Sequence, residues 1–137
     1  MKNSKFLLAL LISVSMLSCS SDDSDSNNSN FKFNPPSWIQ GVWFEENSQS
    51  GLKFTSDDII RLTLDANNSI IKEDSRKQYW SLFEGPYTIE SSSSNTYKSE
   101  VHLASEISGT GGKDFYEFQK TSENSMTMGT TVTWIKQ

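Results

Sequence analysis

Short segments with the length of β-strands, separated by turn residues, follow one another along most of this sequence. Hydrophobic and polar residues alternate in several of them, as a strand with one buried face requires. In one such segment Ile60, Leu62 and Leu64 fall on one face, whereas Arg61 and Thr63 fall on the other. No ten-residue stretch after residue 34 has the spacing of an amphipathic helix. These runs argue for an all-β sandwich or barrel, and consecutive hairpins favour a small antiparallel up-and-down β-barrel.

Turns rich in Gly, Asn, Asp and Ser divide the second part of the chain into the predicted strands. Gly109–Gly112 is predicted to be a flexible turn. The predicted strands, in chain order, are Gly41–Glu46, Leu52–Thr55, Asp58–Leu64, Ser69–Glu73, Gln78–Phe83, Pro86–Glu90, Thr96–Leu103, Asp114–Lys120 and Met126–Lys136.

The first 18 residues have the three features of a bacterial export signal. Lys2 and Lys5 make the start positively charged, and Phe6–Leu17 is an uncharged apolar run. Twelve helical residues extend only about 18 Å, which is too short to cross a hydrocarbon core about 30 Å thick. The small residue Ser18 then precedes Cys19. Residues 1–18 are therefore predicted to be a signal peptide that is removed.

The segment Met16-Leu17-Ser18-Cys19 resembles the lipobox of bacterial lipoproteins. The resemblance implies that the chain is cut before Cys19 and that this cysteine carries acyl chains. Two or three chains hold a protein on a membrane far more firmly than one, since each buried CH₂ contributes roughly 0.8 kcal/mol. Cys19 is the only cysteine of the chain, so an internal disulfide is excluded. The expected localisation is the outer membrane, with Cys19 as the lipid attachment site.

Residues 19–34 are predicted to be a disordered tether because Ser, Asp and Asn dominate them and little apolar surface is available for packing. The acidic cluster Ser20–Asp25 resembles the surface-export signals of lipoproteins in gliding and gut Gram-negative bacteria, which implies exposure on the cell surface. An ordinary solvated linker is the alternative interpretation. Pro35-Pro36 marks the boundary of a single folded domain, residues 35–137.

The composition supports the all-β prediction and excludes one class of partner. Aromatic residues make up 12% of the 137 residues, and β-branched and small polar residues are frequent. Removing the signal peptide lowers the formal charge from −5 to about −7. An acidic exported protein is a poor candidate for binding nucleic acid or anionic headgroups. We therefore expect no nucleic-acid partner.

The triplet Gly41-Val42-Trp43 resembles the Gly-x-Trp signature in the first strand of lipocalins and lipocalin-like domains. In that family the tryptophan closes one end of the β-barrel, and an arginine after the last strand stacks on it. The arginines of this chain, Arg61 and Arg76, both lie mid-chain. The resemblance covers residues 36–58, and it implies a barrel that captures a small apolar or amphipathic molecule.

The candidates for catalytic or metal chemistry are few. His102 is the sole histidine and shares a predicted strand face with Glu100 and Lys98, whereas Tyr97, Val101 and Leu103 form the other face. A metal site needs three or four ligands, and the sequence has no His or Cys cluster. Asp57-Asp58 with Glu45-Glu46 is a weak candidate for a carboxylate pair. We expect no catalytic residue, no metal and no cofactor.

Three function classes are open, and the four tryptophans bear on the choice. A non-enzymatic ligand-binding barrel ranks first, a protein-interaction module such as an accessory subunit or inhibitor second, and an enzyme third. One or two tryptophans are candidates for lining a pocket or a protein-binding patch, whereas core packing is the default for aromatic residues. These tryptophans are Trp38, Trp43, Trp80 and Trp134.

Overall fold

A computed structural model describes residues 31–104 and 114–137, and within them the fold is all-β with one short helix. The residues described form nine strands, most of which follow the predicted ones. The single strand predicted at Met126–Lys136 is wrong, because a turn at 129–131 divides it into two strands that pair with each other. The strands are β1 (Gly41–Glu45), β2 (Ser50–Phe54), β3 (Ile59–Leu64), β4 (Ile70–Ser75), β5 (Pro86–Ser92), β6 (Thr96–Leu103), β7 (Phe115–Ser122), β8 (Ser125–Met128) and β9 (Val132–Lys136), and the helix is α1 (Arg76–Trp80).

All nine strands belong to one antiparallel sheet with the order β4-β3-β2-β1-β9-β8-β7-β6-β5. Chain neighbours pair as hairpins, and the first and last strands pair through Trp43 with Lys136 and Glu45 with Trp134. Within the part of the chain that the structure describes, β4 and β5 are not hydrogen-bonded to each other. The sheet is thus a curled half-barrel and not the closed barrel that the hairpin rhythm predicts.

The concave face of the sheet carries the core. Trp43 and Leu52 lie opposite each other on β1 and β2, and both belong to the buried hydrophobic cluster. Arg61 lies opposite Leu52 on β3, and side chains directly opposite each other share a face. The two faces predicted for β3 are therefore correct, but the Arg61 face is the concave one. Leu62 is buried on the other side, where it would meet a Cβ on Gly51 at 3.1 Å.

Helix α1 crosses the gap between β4 and β5, so the strand predicted at Gln78–Phe83 is wrong. Ser75 caps the helix by accepting a hydrogen bond from the Gln78 amide at 2.9 Å. Asp58 Oδ1 accepts another from the Lys77 amide at 2.8 Å. The aromatic residues here favour a strand locally, but a capping carboxylate 19 residues away from Lys77 and the burial of Trp80 favour the helix.

Residues 31–34 pack against the same gap, so the folded part extends at least four residues before the predicted boundary at Pro35. Phe31 and Phe33 are 4% and 0% exposed and belong to the core. The Phe33 amide donates to the Asp57 carbonyl at 3.1 Å. Burying two phenylalanines supplies the apolar surface that a disordered tether lacks. The remaining tether, the signal peptide, Cys19 and the Gly109–Gly112 turn lie outside the described residues.

Candidate functional site

Trp43 belongs to the core cluster at the end of the half-barrel where β1 begins, which we call the closed end. The side chain is fully buried, and its indole N–H donates to the Ile39 carbonyl at 2.7 Å. Lys136, in the last strand, places its ammonium 5.3 Å from the centre of the indole ring. Gly41 has a φ of +125°, and a Cβ there would lie 3.0 Å from Lys136 Cε. The glycine therefore permits both this backbone conformation and the approach of the lysine.

Trp38 covers the outside of the same end. Its side chain is half-buried against the core, and its indole N–H donates to the Ser93 carbonyl at 3.1 Å. Trp38 therefore packs against the core with one side in water. The core beneath it is aromatic, because Phe54 meets Phe118 edge-on at 5.3 Å and Tyr97 at 6.4 Å.

A cavity of about 370 Å³ occupies the concave side toward the opposite end. Its apolar wall comes from five strands, and its members are Leu52, Leu62, Tyr116, Met128 and Trp134. Trp134 is 6% exposed, and its indole N–H has no acceptor among the described residues. Trp134 is therefore the one of the four tryptophans that lines this cavity, and its indole nitrogen is itself shielded from solvent.

The polar wall of this cavity follows from the strand register. Glu45 lies two residues beyond Trp43, and Thr63 lies two residues beyond Arg61. This spacing keeps each pair on one face, so polar side chains continue the rows that begin with core residues. The polar members of the lining are Glu45, Ser50, Arg61, Thr63 and Asp74.

Asp114 is the centre of a polar network beside the cavity. Its carboxylate accepts from Arg61 Nη2 at 3.1 Å, from Arg76 Nε at 2.8 Å and from Trp80 Nε1 at 2.9 Å. Tyr116 Oη donates to it at 3.4 Å. The donors come from β3, α1 and β7, so one carboxylate fastens the helix and two distant parts of the sheet together. Only 14% of the Asp114 side chain is exposed, which makes these charge-assisted bonds strong.

The network also sets the charge states of its members. Burial lowers the pKa of the Arg61 guanidinium, but the charges and hydrogen bonds of Tyr116 and Asp114 outweigh it and raise that pKa overall. Burial raises the pKa of the Tyr116 hydroxyl, and the Asp114 charge adds to this effect. At neutral pH the cavity wall therefore presents a cationic Arg61 and a neutral Tyr116.

His102 and Glu100 lie on the outer face of β6, and the predicted inner residues Tyr97 and Val101 are fully buried. His102 Nε2 lies 3.2 Å from Glu100 Oε2, and the imidazole stacks on Tyr87 with ring centres 5.3 Å apart. Across residues 31–104 and 114–137, no three His, Cys, Asp or Glu side chains are close enough to hold a metal ion.

The carboxylates considered as an acid–base pair do not meet. Asp57 and Asp58 lie in the turn between β2 and β3, whereas Glu45 ends β1 at the other end of the sheet. Asp57 forms an ion pair with Lys77, and this hydrogen bond lowers the pKa of its carboxyl group. Both aspartates therefore contact helix α1, Asp57 through the Lys77 side chain and Asp58 through the Lys77 amide.

The local sequence pattern does not predict the roles of Arg61 in the cavity and of Asp114 beside it. Arg61 was assigned only to the polar face of a strand, and Asp114 only to the start of another. The register shows that Arg61 belongs to the row of Trp43 and Leu52, and no local pattern carries that information.

No helix in the described part of the chain has the length and apolarity needed to cross a membrane.

Comparison with known proteins adds no family assignment. No protein-family model, no curated protein and no solved structure matches this chain. The function proposed below therefore depends on the cavity and on the sequence patterns.

Proposed function

We propose that this chain is a cell-envelope lipoprotein whose half-barrel is a non-enzymatic, lipocalin-like binding domain for a small apolar or amphipathic ligand. The observation that carries the proposal is the cavity of about 370 Å³ on the concave side. Ligand pockets typically measure about 300–1,000 Å³ and combine an apolar lining with a few polar groups. Leu52, Met128 and Trp134 supply the apolar part, and Arg61 and Thr63 supply polar groups.

The closed end supports the lipocalin-like part of this proposal. In lipocalins the Gly-x-Trp tryptophan is covered by a cationic side chain from beyond the last strand. Here the cation over Trp43 is Lys136, which lies in the last strand and is a lysine. A lysine ammonium over an indole ring provides the same type of attraction as a guanidinium.

Native mass spectrometry of the full chain, purified from its host in detergent, tests ligand binding. We expect a retained small molecule that is lost from a Thr63→Trp variant, because the new side chain fills the cavity mouth. Ser91→Trp is the matched control, since Ser91 is an exposed strand residue that does not line the cavity. A mass equal to the bare lipidated chain in every preparation would contradict ligand binding.

The anchor is tested separately through Cys19. If acyl chains on Cys19 attach the protein to the outer membrane, Cys19→Ala abolishes palmitate labelling and leaves the signal peptide uncut. Replacing Asp22, Asp23 and Asp25 with Ala keeps the label but reduces protease access on whole cells if the acidic cluster directs the protein to the surface. Normal labelling of Cys19→Ala would disprove the anchor, and unchanged protease access would make the cluster an ordinary linker.

Exposed apolar side chains favour a second candidate, a protein-interaction module. Leu82 is 80% exposed, and Ile89 on the edge strand β5 is 55% exposed. Four further large residues are exposed as well, and they are Tyr79, Phe83, Tyr87 and Phe115. Crosslinking in the host would separate the candidates, because Leu82→Ser with Ile89→Ser would remove a protein partner and leave a cavity ligand bound.

A further inference from the structure

We propose that the ligand of the cavity carries an anionic group, a carboxylate or a phosphate ester, which Arg61 binds while an apolar body packs against Leu52, Met128 and Trp134. The inference rests on the proposed binding function and names the chemical class of the ligand.

Arg61 has hydrogen-bonding capacity to spare. A guanidinium has five N–H groups, and among the described residues only Nη2 is engaged, with Asp114 and Tyr116. The other two nitrogens have no hydrogen-bond partner there, and half of the Arg61 side chain is exposed. Arg61 also borders a second cleft of about 440 Å³ next to α1, so the residue lines two open clefts. A carboxylate or phosphate matches the paired N–H groups of a guanidinium.

The charges around Arg61 leave it attractive to an anion. Asp114 is shared by Arg61 and Arg76, so the three side chains together carry one positive charge. Asp74 lies across from Arg61, but Lys72 neutralises it at 2.9 Å. Glu45 is the remaining carboxylate of the cavity, and it lies one side-chain row nearer the mouth than Trp43 and Arg61. The position beside Arg61 therefore favours an anion, whereas the position beside Glu45, at the mouth, does not.

The rest of the cavity suits a short apolar body. Leu52, Met128 and Trp134 supply contact area, and burying such surface gives roughly 25 cal/mol per Å². The Trp134 indole nitrogen is shielded from solvent, so Arg61 is the group that binds the polar end of the ligand.

Isothermal titration calorimetry on the full lipidated chain in lipid nanodiscs, with empty nanodiscs as the blank, tests this assignment. The probes share one chain length and are octanoate, octyl phosphate, octanol and octylamine. We expect at least one anion to bind about tenfold or more tighter than octanol, since hydrogen bonds to charged groups contribute roughly 1.5–3 kcal/mol. Comparing octanoate with octyl phosphate decides which anion the site prefers.

Variants of Arg61 assign the effect to this side chain. Arg61→Gln should bring the anions down to the affinity of octanol, and Arg61→Lys should keep part of the preference. Retained octanol binding shows that the cavity of each variant is intact. Lys98→Gln is the matched control, because Lys98 is a half-exposed cation on the opposite face of the sheet.

Three outcomes would overturn the assignment. Equal binding of octanol and both anions would refute the anionic class while leaving the proposed binding function standing. Tightest binding of octylamine would point to Glu45 in place of Arg61. Absence of binding for all four probes would refute the binding function and this inference together.

Discussion

The two ends of the half-barrel are built from the same strands but have opposite character. At the closed end Trp43, Phe54 and Phe118 are at most 2% exposed, and the two phenylalanine rings pack edge-on. Two residues beyond Trp43 on β1 and beyond the buried Ile59 on β3, Glu45 and Arg61 line a cavity. One step of the strand repeat thus separates a dense core from an open site. The closed end supplies stability, and the open end is free to carry polar groups that a core would exclude.

The largest effect on this contrast is expected from Trp43→Ala, which empties the closed end. Truncating a buried large aromatic residue typically costs about 3–5 kcal/mol, a large part of the stability of a small domain. Trp38→Ala should cost less because Trp38 is half-buried. Urea unfolding of the chain from Ser20 onward, which keeps every described residue, measures both. Equal small losses would mean that Trp43 does not hold the closed end.

Phe33→Ala tests whether residues before Pro35 belong to the same core. Phe33 is fully buried and meets Tyr116 at 6.4 Å, so we expect a loss of about 3 kcal/mol in the free energy of unfolding. Lys32→Ala is the control because Lys32 is the exposed neighbour. Matching unfolding curves for the two variants would show that residues 31–34 belong to the tether and not to the core.

Asp114→Asn tests whether the Asp114 carboxylate stabilises the fold by joining helix α1 to Arg61 of strand β3. Removing the charge leaves Arg61 and Arg76 without their carboxylate, and we expect a loss of about 2–3 kcal/mol. Asp74→Asn removes a carboxylate whose pair with Lys72 is exposed, and it should cost about 0.5 kcal/mol or less. The difference between the two unfolding midpoints is the measurement. Similar midpoints would show that the network around Asp114 does not stabilise the fold.

The smallest effect is a loss of stability in alkali. Burial raises the pKa of Tyr97 and of Tyr116 in the folded state above the ordinary tyrosine value of about 10. The unfolded chain therefore releases these protons first, so stability is constant below about pH 10 and falls as the pH rises above it. Unfolding midpoints between pH 8 and pH 11 should show this fall, and Tyr116→Phe should reduce its slope. A flat profile would mean that neither hydroxyl is buried in solution.

Residues whose environment depends on local pattern were predicted well. Gly41 has the unusual φ that only glycine adopts readily, and Trp43 is buried, as the Gly-x-Trp pattern indicates. Tyr97 and Val101 face inward as the alternation in β6 predicts. The strand predicted at Gln78–Phe83 is wrong because helix α1 depends on a capping contact from Asp58, which is distant in sequence.

The sequence by itself determined the all-β class and most strand positions, because period-two alternation and turn residues act over a few neighbours. The resemblance of Gly41-Val42-Trp43 to the Gly-x-Trp signature implied the burial of Trp43. Only the tertiary structure decided which face of β3 is concave and that Arg61 meets Asp114 across 53 residues. It also decided that, among the described residues, β4 and β5 do not pair with each other. Alternation divides a strand into two faces without saying which one faces the core. That choice is made when the strands pair, since Leu52 on the neighbouring strand brings Arg61 into the cavity.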